Sequence, residues 1–222
     1  MIYQIIQMIR AGYPASQIIP IIAALAVMIL FCMPVHEWAH AYTAYKLGDN
    51  TARYKGRMTL NPAAHLNLVG TLMMLFVGVG YATAVPVNPL NFKNRKGGMA
   101  LTACAGPFSN FVMAWVFMLL GKVVFVFGNN VPFADFFFQL AVINVGLMVF
   151  NLLPVPPLDG SRILTLFLPE RTYFKIMRYE QYIWIAVMVL AFIGVFDPLL
   201  NVLRTAFLKF LDILTFFLGR IF

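Results

Sequence analysis

The stretch Phe31-Cys32-Met33-Pro34-Val35-His36-Glu37-Trp38-Ala39-His40 places an H-E-x-x-H motif inside a long apolar run. On a helix, residues four apart share a face, so His36 and His40 can present two imidazoles to one metal ion. Glu37 is rotated by about 100° from His36, which suits a carboxylate that acts beside the metal as a general base. Such a match can also arise by chance or serve structure, but His and Glu in a membrane segment are costly and are functional by default.

The composition of the chain is that of an integral membrane protein. Hydrophobic residues make up 62% and charged residues 11% of the 222 residues, and the mean hydropathy is +0.84. Soluble domains contain about 25% charged residues. Several apolar stretches approach or exceed the roughly 20 residues that span a bilayer. Because no long polar region remains, we predict a single integral membrane domain over residues 1–222.

The basic residues predict the orientation of the chain in the membrane. Eleven of the 16 Lys and Arg residues fall in three short segments between apolar runs, Lys46–Arg57, Lys93–Lys96 and Arg162–Arg178. By the positive-inside rule, these segments are cytoplasmic loops. The net charge of +8 therefore reflects contact with a lipid bilayer, and no nucleic-acid partner is predicted.

The apolar segments predict an all-α polytopic membrane protein with about five to six membrane segments. Residues 1–16 are an interfacial N-terminal segment, 17–168 a catalytic core, and 169–222 C-terminal membrane helices. The predicted membrane helices are Gln17–Lys46, Gly97–Phe127, Asp135–Leu153, Tyr179–Phe196 and Leu199–Leu218. His36 lies ten residues before Lys46, so the motif is about 15 Å below the cytoplasmic end of its helix. Pro34 should kink that helix just before the motif.

A short re-entrant or β element is expected between the first two full spans. Loose alternation over Thr51–Leu60 favours a short strand. The apolar Leu66–Tyr81 favours a re-entrant hairpin, because the basic loops on both sides of it are assigned to the cytoplasm. A short true span over residues 66–83 is the alternative.

Two histidines do not complete a catalytic zinc site, which takes three protein ligands and a water. The chain has only eight acidic residues, and those in loops, such as Asp49, lie beside basic residues. Asp159 differs because it follows a membrane span in a Pro-rich break and precedes Gly160, at a depth that should match His36. Such a carboxylate usually performs chemistry or binds an ion. A turn or helix-cap role before Ser161 is the alternative.

Three motifs together resemble the site-2 proteases, the intramembrane zinc metalloproteases. They are His36-Glu37-Trp38-Ala39-His40, Gly106-Pro107-Phe108-Ser109-Asn110 and Asn151-Leu152-Leu153-Pro154-Val155-Pro156-Pro157-Leu158-Asp159-Gly160. The late N-x-x-P-x-P-x-L-D-G motif is long and specific, and its order and distance from H-E-x-x-H match the family. The resemblance runs from about His36 to Glu170. It is closest to the small members that lack PDZ and cystathionine-synthase-like regulatory domains.

The resemblance implies an intramembrane zinc metalloendopeptidase that hydrolyses peptide bonds within or near transmembrane helices of membrane protein substrates. It implies one Zn²⁺ per chain, with His36, His40 and Asp159 as ligands and Glu37 as the general base. A substrate helix must unwind locally, and a strand near Arg53–Leu60 or the re-entrant hairpin could pair with it. The expected location is a bacterial or archaeal cell membrane, with the active site facing the cytoplasm. The substrate's identity and the oligomeric state are not defined by the sequence.

The resemblance also assigns roles to three further polar residues. Asn151 resembles the family's Asn that helps to hold the substrate backbone. Asn110 resembles another polar position of the family and is assigned to substrate binding as well. Both could instead hydrogen-bond between membrane helices. Small members also show N-P-x-x-H-x-D, which here reads Asn61-Pro62-Ala63-Ala64-His65-Leu66-Asn67, with Asn67 in place of Asp. His65 could approach the metal or guard access to it, or it could be a hydrogen-bonded structural histidine.

Two other classes of function use the same residues differently. A metal-ion transporter or channel would need polar residues along a path through both leaflets, whereas the outer halves of the predicted spans are almost wholly apolar. An inactive scaffold that binds membrane helices would be expected to carry a degraded H-E-x-x-H or to lack the late Asp. Both motifs are intact in this chain.

Overall fold

The computed structural model describes residues 2–77, 82–128 and 130–219, and these ranges contain helices and no β-strand. The helices are α1 Ile2–Arg10, α2 Ala15–Val27, α3 Met33–Lys46, α4 Thr51–Tyr54, α5 Leu68–Val77, α6 Arg95–Gly128, α7 Val131–Asn151, α8 Asp159–Ile163, α9 Glu170–Met177, α10 Glu180–Phe192 and α11 Asp197–Leu214. Short 3₁₀ turns cover Pro62–Ala64, Pro89–Asn91, Leu164–Leu166 and Phe216–Leu218. The predicted all-α class is confirmed.

Three helical stretches in the described ranges are long and apolar enough to cross a membrane. They are Ala15–Lys46 with 32 residues, Arg95–Gly128 with 34 and Val131–Asn151 with 21, close to three of the predicted spans. Helices α10 and α11 add a fourth only if they form one broken span, because an 80° bend separates them. The predicted five to six segments are therefore not confirmed.

The predicted strand over Thr51–Leu60 is wrong. Thr51–Tyr54 is a single helical turn, and the chain then bends at Gly56, whose φ is +66°. The Asp49 carboxylate accepts hydrogen bonds from the Thr51 backbone N–H at 3.0 Å and from the Thr51 hydroxyl. Side chains that bond nearby backbone groups in this way compete with strand formation. Local hydrogen bonding therefore outweighs the loose alternation of the sequence.

The predicted re-entrant hairpin lies partly on residues 78–81, which are outside the described residues. Before them, α5 begins after Asn67, whose Oδ1 accepts a hydrogen bond from the Gly70 backbone N–H at 3.0 Å. After them, residues 82–88 run in neither helix nor strand toward the second basic loop. The choice between a re-entrant segment and a short span stays a prediction.

Helices α6 and α7 pack against each other at the centre of the molecule. Helix α3 contacts α6, α2 contacts α7, and α11 contacts both. Small residues allow α6 and α7 to approach closely, as is common between membrane helices. A Cβ added at Gly121 of α6 would lie 2.5 Å from the Phe138 ring of α7. The buried core between α6, α7 and α11 comprises Ala114, Met118, Ala141, Val145, Met148, Val149, Leu208 and Leu211. This packing holds α6 against α3, where the H-E-x-x-H motif lies.

A π-helical turn over Met28–Cys32 joins α2 to α3 within the first span. The Met33 backbone N–H donates to the Met28 carbonyl, five residues earlier. Pro34, which has no N–H to donate, follows directly. The irregularity predicted at Pro34 therefore takes the form of a widened turn just before His36, a feature frequent at functional sites.

Candidate metal centre and active-site cavity

Three predicted metal ligands come together at the contact of α3 with α8. His36 and His40 lie one turn apart on α3, and Asp159 is the first residue of α8. The two Nε2 atoms are 3.0 Å apart, and Asp159 Oδ2 lies 3.3 Å from each of them. In the described part of the chain, this is the one group of at least three His, Cys, Asp or Glu residues able to share an ion.

The three donor atoms fit a tetrahedral zinc ion. With zinc–ligand bonds of about 2.0–2.1 Å, neighbouring ligand atoms in a tetrahedron lie about 3.3 Å apart. The observed separations of 3.0–3.3 Å match that spacing. Asp159 Oδ2 is buried and makes no hydrogen bond to the described residues, which suits an oxygen kept for a metal. Two His and one carboxylate also leave the fourth position open, as in catalytic sites.

Gly106 of α6 leaves the space that the two imidazoles require. A Cβ added at Gly106 would lie 2.3 Å from His40 Nε2 and 2.5 Å from His36 Nε2. Both distances are far shorter than a non-bonded contact allows, and the Cβ would also lie 2.6 Å from His36 Cε1. Any side chain at this position would therefore push both imidazoles out of the positions in which they can share an ion. The sequence analysis quoted Gly106 only as part of a motif and did not find this reason for it.

Helix α6 also orients both imidazoles through contacts to their Nδ1 atoms, on the side of each ring away from the other ligands. His40 Nδ1 donates to the Thr102 carbonyl at 2.7 Å. Because a carbonyl can only accept, the proton lies on Nδ1 and the Nε2 lone pair faces the metal position. His36 Nδ1 lies 3.1 Å from the side-chain amide of Asn110, which is also on α6. Asn110 is fully buried, so the structure places it behind a ligand.

Glu37 lies beside the ligand cluster without belonging to it. Its side chain is buried, and Oε2 accepts a hydrogen bond from the Val85 backbone N–H at 3.1 Å. Val85 belongs to residues 82–88, which form neither helix nor strand and are called the extended segment below. This segment thus passes beside the H-E-x-x-H motif. A carboxylate in this position can receive a proton next to the metal while a main-chain amide holds its orientation.

The ligands and Glu37 line a cavity of about 420 Å³. Asn151 lies in its wall, where the side-chain amide donates to the Leu147 carbonyl at 3.0 Å. The cavity wall also contains Asn67, Arg162, Glu180 and Trp184. The sequence analysis used Arg162 only as a topology signal, although its position three residues after Asp159 on one short helix could have indicated the cavity.

His65 is not among the residues that line this cavity. Its side chain is buried, and Nε2 bonds the Thr59 carbonyl at 2.8 Å. The His65 carbonyl accepts a hydrogen bond from the Thr83 backbone N–H at 2.8 Å. These contacts join the 3₁₀ turn after α4 to the start of the extended segment, and they favour the structural interpretation of His65.

Asp49 anchors the other end of the extended segment, a role that the sequence analysis missed. Besides Thr51, its carboxylate accepts from the Asn88 backbone N–H at 2.7 Å and from the Asn91 side-chain amide at 2.7 Å. Burial raises the pKa of Asp49, but the hydrogen bonds from Thr51, Asn88 and Asn91 outweigh it and hold that pKa below its ordinary value of 3.8. The Asp-x-Thr pattern indicates the local bond, but no sequence pattern indicates the two distant ones.

We expect Asp49→Asn to destabilise the protein by about 1–3 kcal/mol at neutral pH, because an amide would face the donors of Asn88 and Asn91. The lowered pKa means that the carboxylate stabilises the fold above pH 3.8 and loses this contribution as the pH falls toward its folded-state value. In thermal unfolding in detergent, the difference in midpoint temperature between variant and wild type should therefore become smaller as the pH falls. A difference of constant size down to acidic pH would contradict this role.

Comparison with known proteins agrees with this geometry. Residues 128–195 match the model of peptidase family M50, a range that includes Asn151 and Asp159. The chain is 38% identical over 207 residues to "Putative zinc metalloprotease YwhC" of Bacillus subtilis, covering 89% of this chain and 93% of that protein. The chain belongs to peptidase family M50. The predicted metalloprotease class and Zn²⁺ cofactor are thus confirmed at the level of the family, whose site-2 protease character the motifs indicated.

The matches between this M50 peptidase and more distant relatives cover a smaller share of those relatives' length. It is 30% identical over 167 residues to "Putative zinc metalloprotease Rip2" of Mycobacterium tuberculosis, covering 72% of this chain and 63% of that protein. It is 24% identical over 149 residues to "Zinc metalloprotease MJ0392" of Methanocaldococcus jannaschii, covering 67% and 35%. No solved structure matches the chain significantly.

Proposed function

We propose that this M50 peptidase is an intramembrane zinc endopeptidase that cleaves membrane protein substrates within or near their transmembrane helices. The observation that carries the proposal is the position of the site. His36, Glu37 and His40 lie within a 32-residue apolar helical stretch, and α6 behind them is a second candidate span. His36 is ten residues from the end of α3, a depth of about 15 Å. A soluble peptide would not need a site at that depth.

The aromatic and basic residues at the end of α3 support an active site open to the cytoplasm. Tyr42 lies one turn before the end of α3, and Lys46 Nζ lies 5.4 Å above its ring. Aromatic residues followed by lysine mark the interface between hydrocarbon and water. The basic segments Lys46–Arg57, Lys93–Lys96 and Arg162–Arg178 favour the cytoplasm as that water side.

The chain's own residues perform the proton transfers and hold the substrate. When bound, zinc lowers the pKa of a coordinated water and polarises the scissile carbonyl. Glu37 accepts a proton from the attacking water and passes it to the leaving amine. Asn151, in the cavity wall, contacts the substrate backbone next to the scissile bond.

A substrate helix shields its carbonyls, so it must unwind before it can be cut. The extended segment 82–88 passes beside Glu37, and its ends are fixed by Asp49 and His65. An unwound substrate can pair along this segment by strand addition. The strand expected near Arg53–Leu60 does not form, so we assign the pairing with the substrate backbone to the extended segment instead.

We expect Ala84→Pro to slow cleavage of a transmembrane substrate about tenfold, because proline removes a backbone donor from an exposed position of the cavity wall. Ala84→Ser keeps that donor and serves as the control. Cleavage rates in proteoliposomes, measured by electrophoresis of the fragments, give the comparison. Equal rates for the two variants would argue against strand pairing at this segment.

The proposed function is tested by Glu37→Gln in proteoliposomes that contain a single-span substrate. Cleavage should fall by at least about a hundredfold, since general acid–base catalysis contributes 10²–10⁴. Asp135→Asn, at an exposed acidic residue on α7, should leave cleavage unchanged. A transporter with the same ligands would instead keep its zinc flux in the Gln variant, and a scaffold would keep its substrate binding without cleavage in either protein. Either result would overturn the proposal.

A further inference from the structure

The contact between Asn110 and His36, behind the metal site, leaves a buried polar atom without a hydrogen-bond partner among the described residues. Asn110 Nδ2 lies 3.1 Å from His36 Nδ1, and both side chains are buried. Asn110 Oδ1 is buried as well and has no hydrogen-bond partner among the described residues. The amide and the imidazole need an arrangement in which one of the two facing atoms donates and the other accepts.

The metal ligation of His36 determines that arrangement. His36 Nε2 faces Asp159 Oδ2 and His40 Nε2, so Nε2 must present a lone pair to a metal and Nδ1 must carry the ring proton. A protonated Nδ1 is a donor, and so is the amide nitrogen that faces it. Rotation of the Asn110 amide by 180° exchanges its two ends and places Oδ1 opposite Nδ1–H.

We propose that Asn110 is a positioning residue that accepts the Nδ1 proton of His36 through its side-chain oxygen and so fixes the ring for zinc. The Thr102 carbonyl holds His40 in the same way. One face of α6 therefore supports both ligands. This assignment rests on the zinc site of the proposed function and moves Asn110 from substrate contact to ligand orientation. Groups that hold a metal-ligating histidine usually contribute 10–100-fold to metal affinity.

The test is the zinc affinity of purified protein, measured by competition with a chelator. Asn110→Leu removes the acceptor at nearly constant volume and should weaken zinc binding about 10–100-fold. Asn110→Asp supplies a carboxylate acceptor and should restore affinity to within a few-fold of the wild type. Asn144→Leu is the matched control, because Asn144 is an equally buried Asn on α7 that bonds the Leu140 carbonyl and contacts no ligand.

The outcomes separate this inference from the proposed function. Wild-type zinc affinity in Asn110→Leu would overturn the positioning role, and so would equal losses in Asn110→Leu and Asn110→Asp. A loss in Asn144→Leu as large as that in Asn110→Leu would also overturn it, since the effect would then be general packing. If the zinc pattern holds while the wild type cleaves no membrane substrate, the proposed function fails and the role of Asn110 stands.

Discussion

Gly106→Ala is expected to abolish zinc binding and, with it, proteolysis. The added methyl carbon would lie 2.3 Å from His40 Nε2 and 2.5 Å from His36 Nε2, so both imidazoles would be displaced from the positions in which they can share a zinc ion. Alanine is at least as good a helix former as glycine, so α6 itself tolerates the change. Elemental analysis of the purified variant should find well under about one tenth of a zinc ion per chain.

The control for this experiment is Gly146→Ala on α7. A Cβ at Gly146 would meet nothing within 4 Å, so the same substitution should leave zinc content and cleavage as in the wild type. Comparison of the two variants separates loss of the metal position from a general effect of removing a helical glycine. Stoichiometric zinc in Gly106→Ala would mean that the metal lies elsewhere.

The second large effect is expected far from the catalytic site, at Lys122 of α6. Its ammonium is fully buried, 2.6 Å from Asp212 Oδ1. It also donates to the carbonyls of Asp212, Thr215 and Gly219 at 3.2, 3.3 and 2.6 Å. These carbonyls lie in the last turn of α11 and just beyond it, where a cation is favourable. Lys122 therefore fastens α11 to the central helices.

Lys122→Met should destabilise the protein by about 3–5 kcal/mol, because it removes one member of a buried ion pair and leaves the other in place. Thermal unfolding in detergent should show a much lower midpoint than for the wild type. The double variant Lys122→Met/Asp212→Leu should recover most of the loss, since it removes both charges. A Lys122→Met protein as stable as the wild type would contradict this role of the ion pair.

The catalytic motif was predictable because its chemistry is encoded in spacing along the chain. The i, i+4 pair His36 and His40 needs only one helix, and Asp159 is marked by its position in a Pro-rich break after a span. The three long membrane helices follow from apolar length alone. These features depend on local sequence, and the structure brings them together as the resemblance implied.

Features that depend on distant contacts were not predictable in the same way. Asp49 binds Asn88 and Asn91, some 40 residues away, and nothing in its local sequence specifies them. Gly106 faces the metal position only because α6 packs on α3. Lys122 could have been found, since a lone lysine within an apolar span needs a buried partner.

The predicted strand over Thr51–Leu60 failed for a local reason. The alternation of apolar and polar residues there is loose, and a side chain just before it forms hydrogen bonds that start a helical turn. Strand patterning is a weak predictor where a side chain can hydrogen-bond the nearby backbone in this way. The extended backbone beside the site lies instead in residues 82–88, which no periodicity marks.

The central claim is that His36, His40 and Asp159 hold one zinc ion, and metal analysis of purified protein tests it most directly. Wild-type protein and Asp159→Ala are compared by elemental analysis after identical purification, with Asp135→Ala as an exposed acidic control on α7. We expect about one zinc per chain in the wild type and in the control, and a loss of most of it in Asp159→Ala, since a site with two remaining ligands binds zinc weakly. Unchanged, stoichiometric zinc in Asp159→Ala would contradict the ligand assignment.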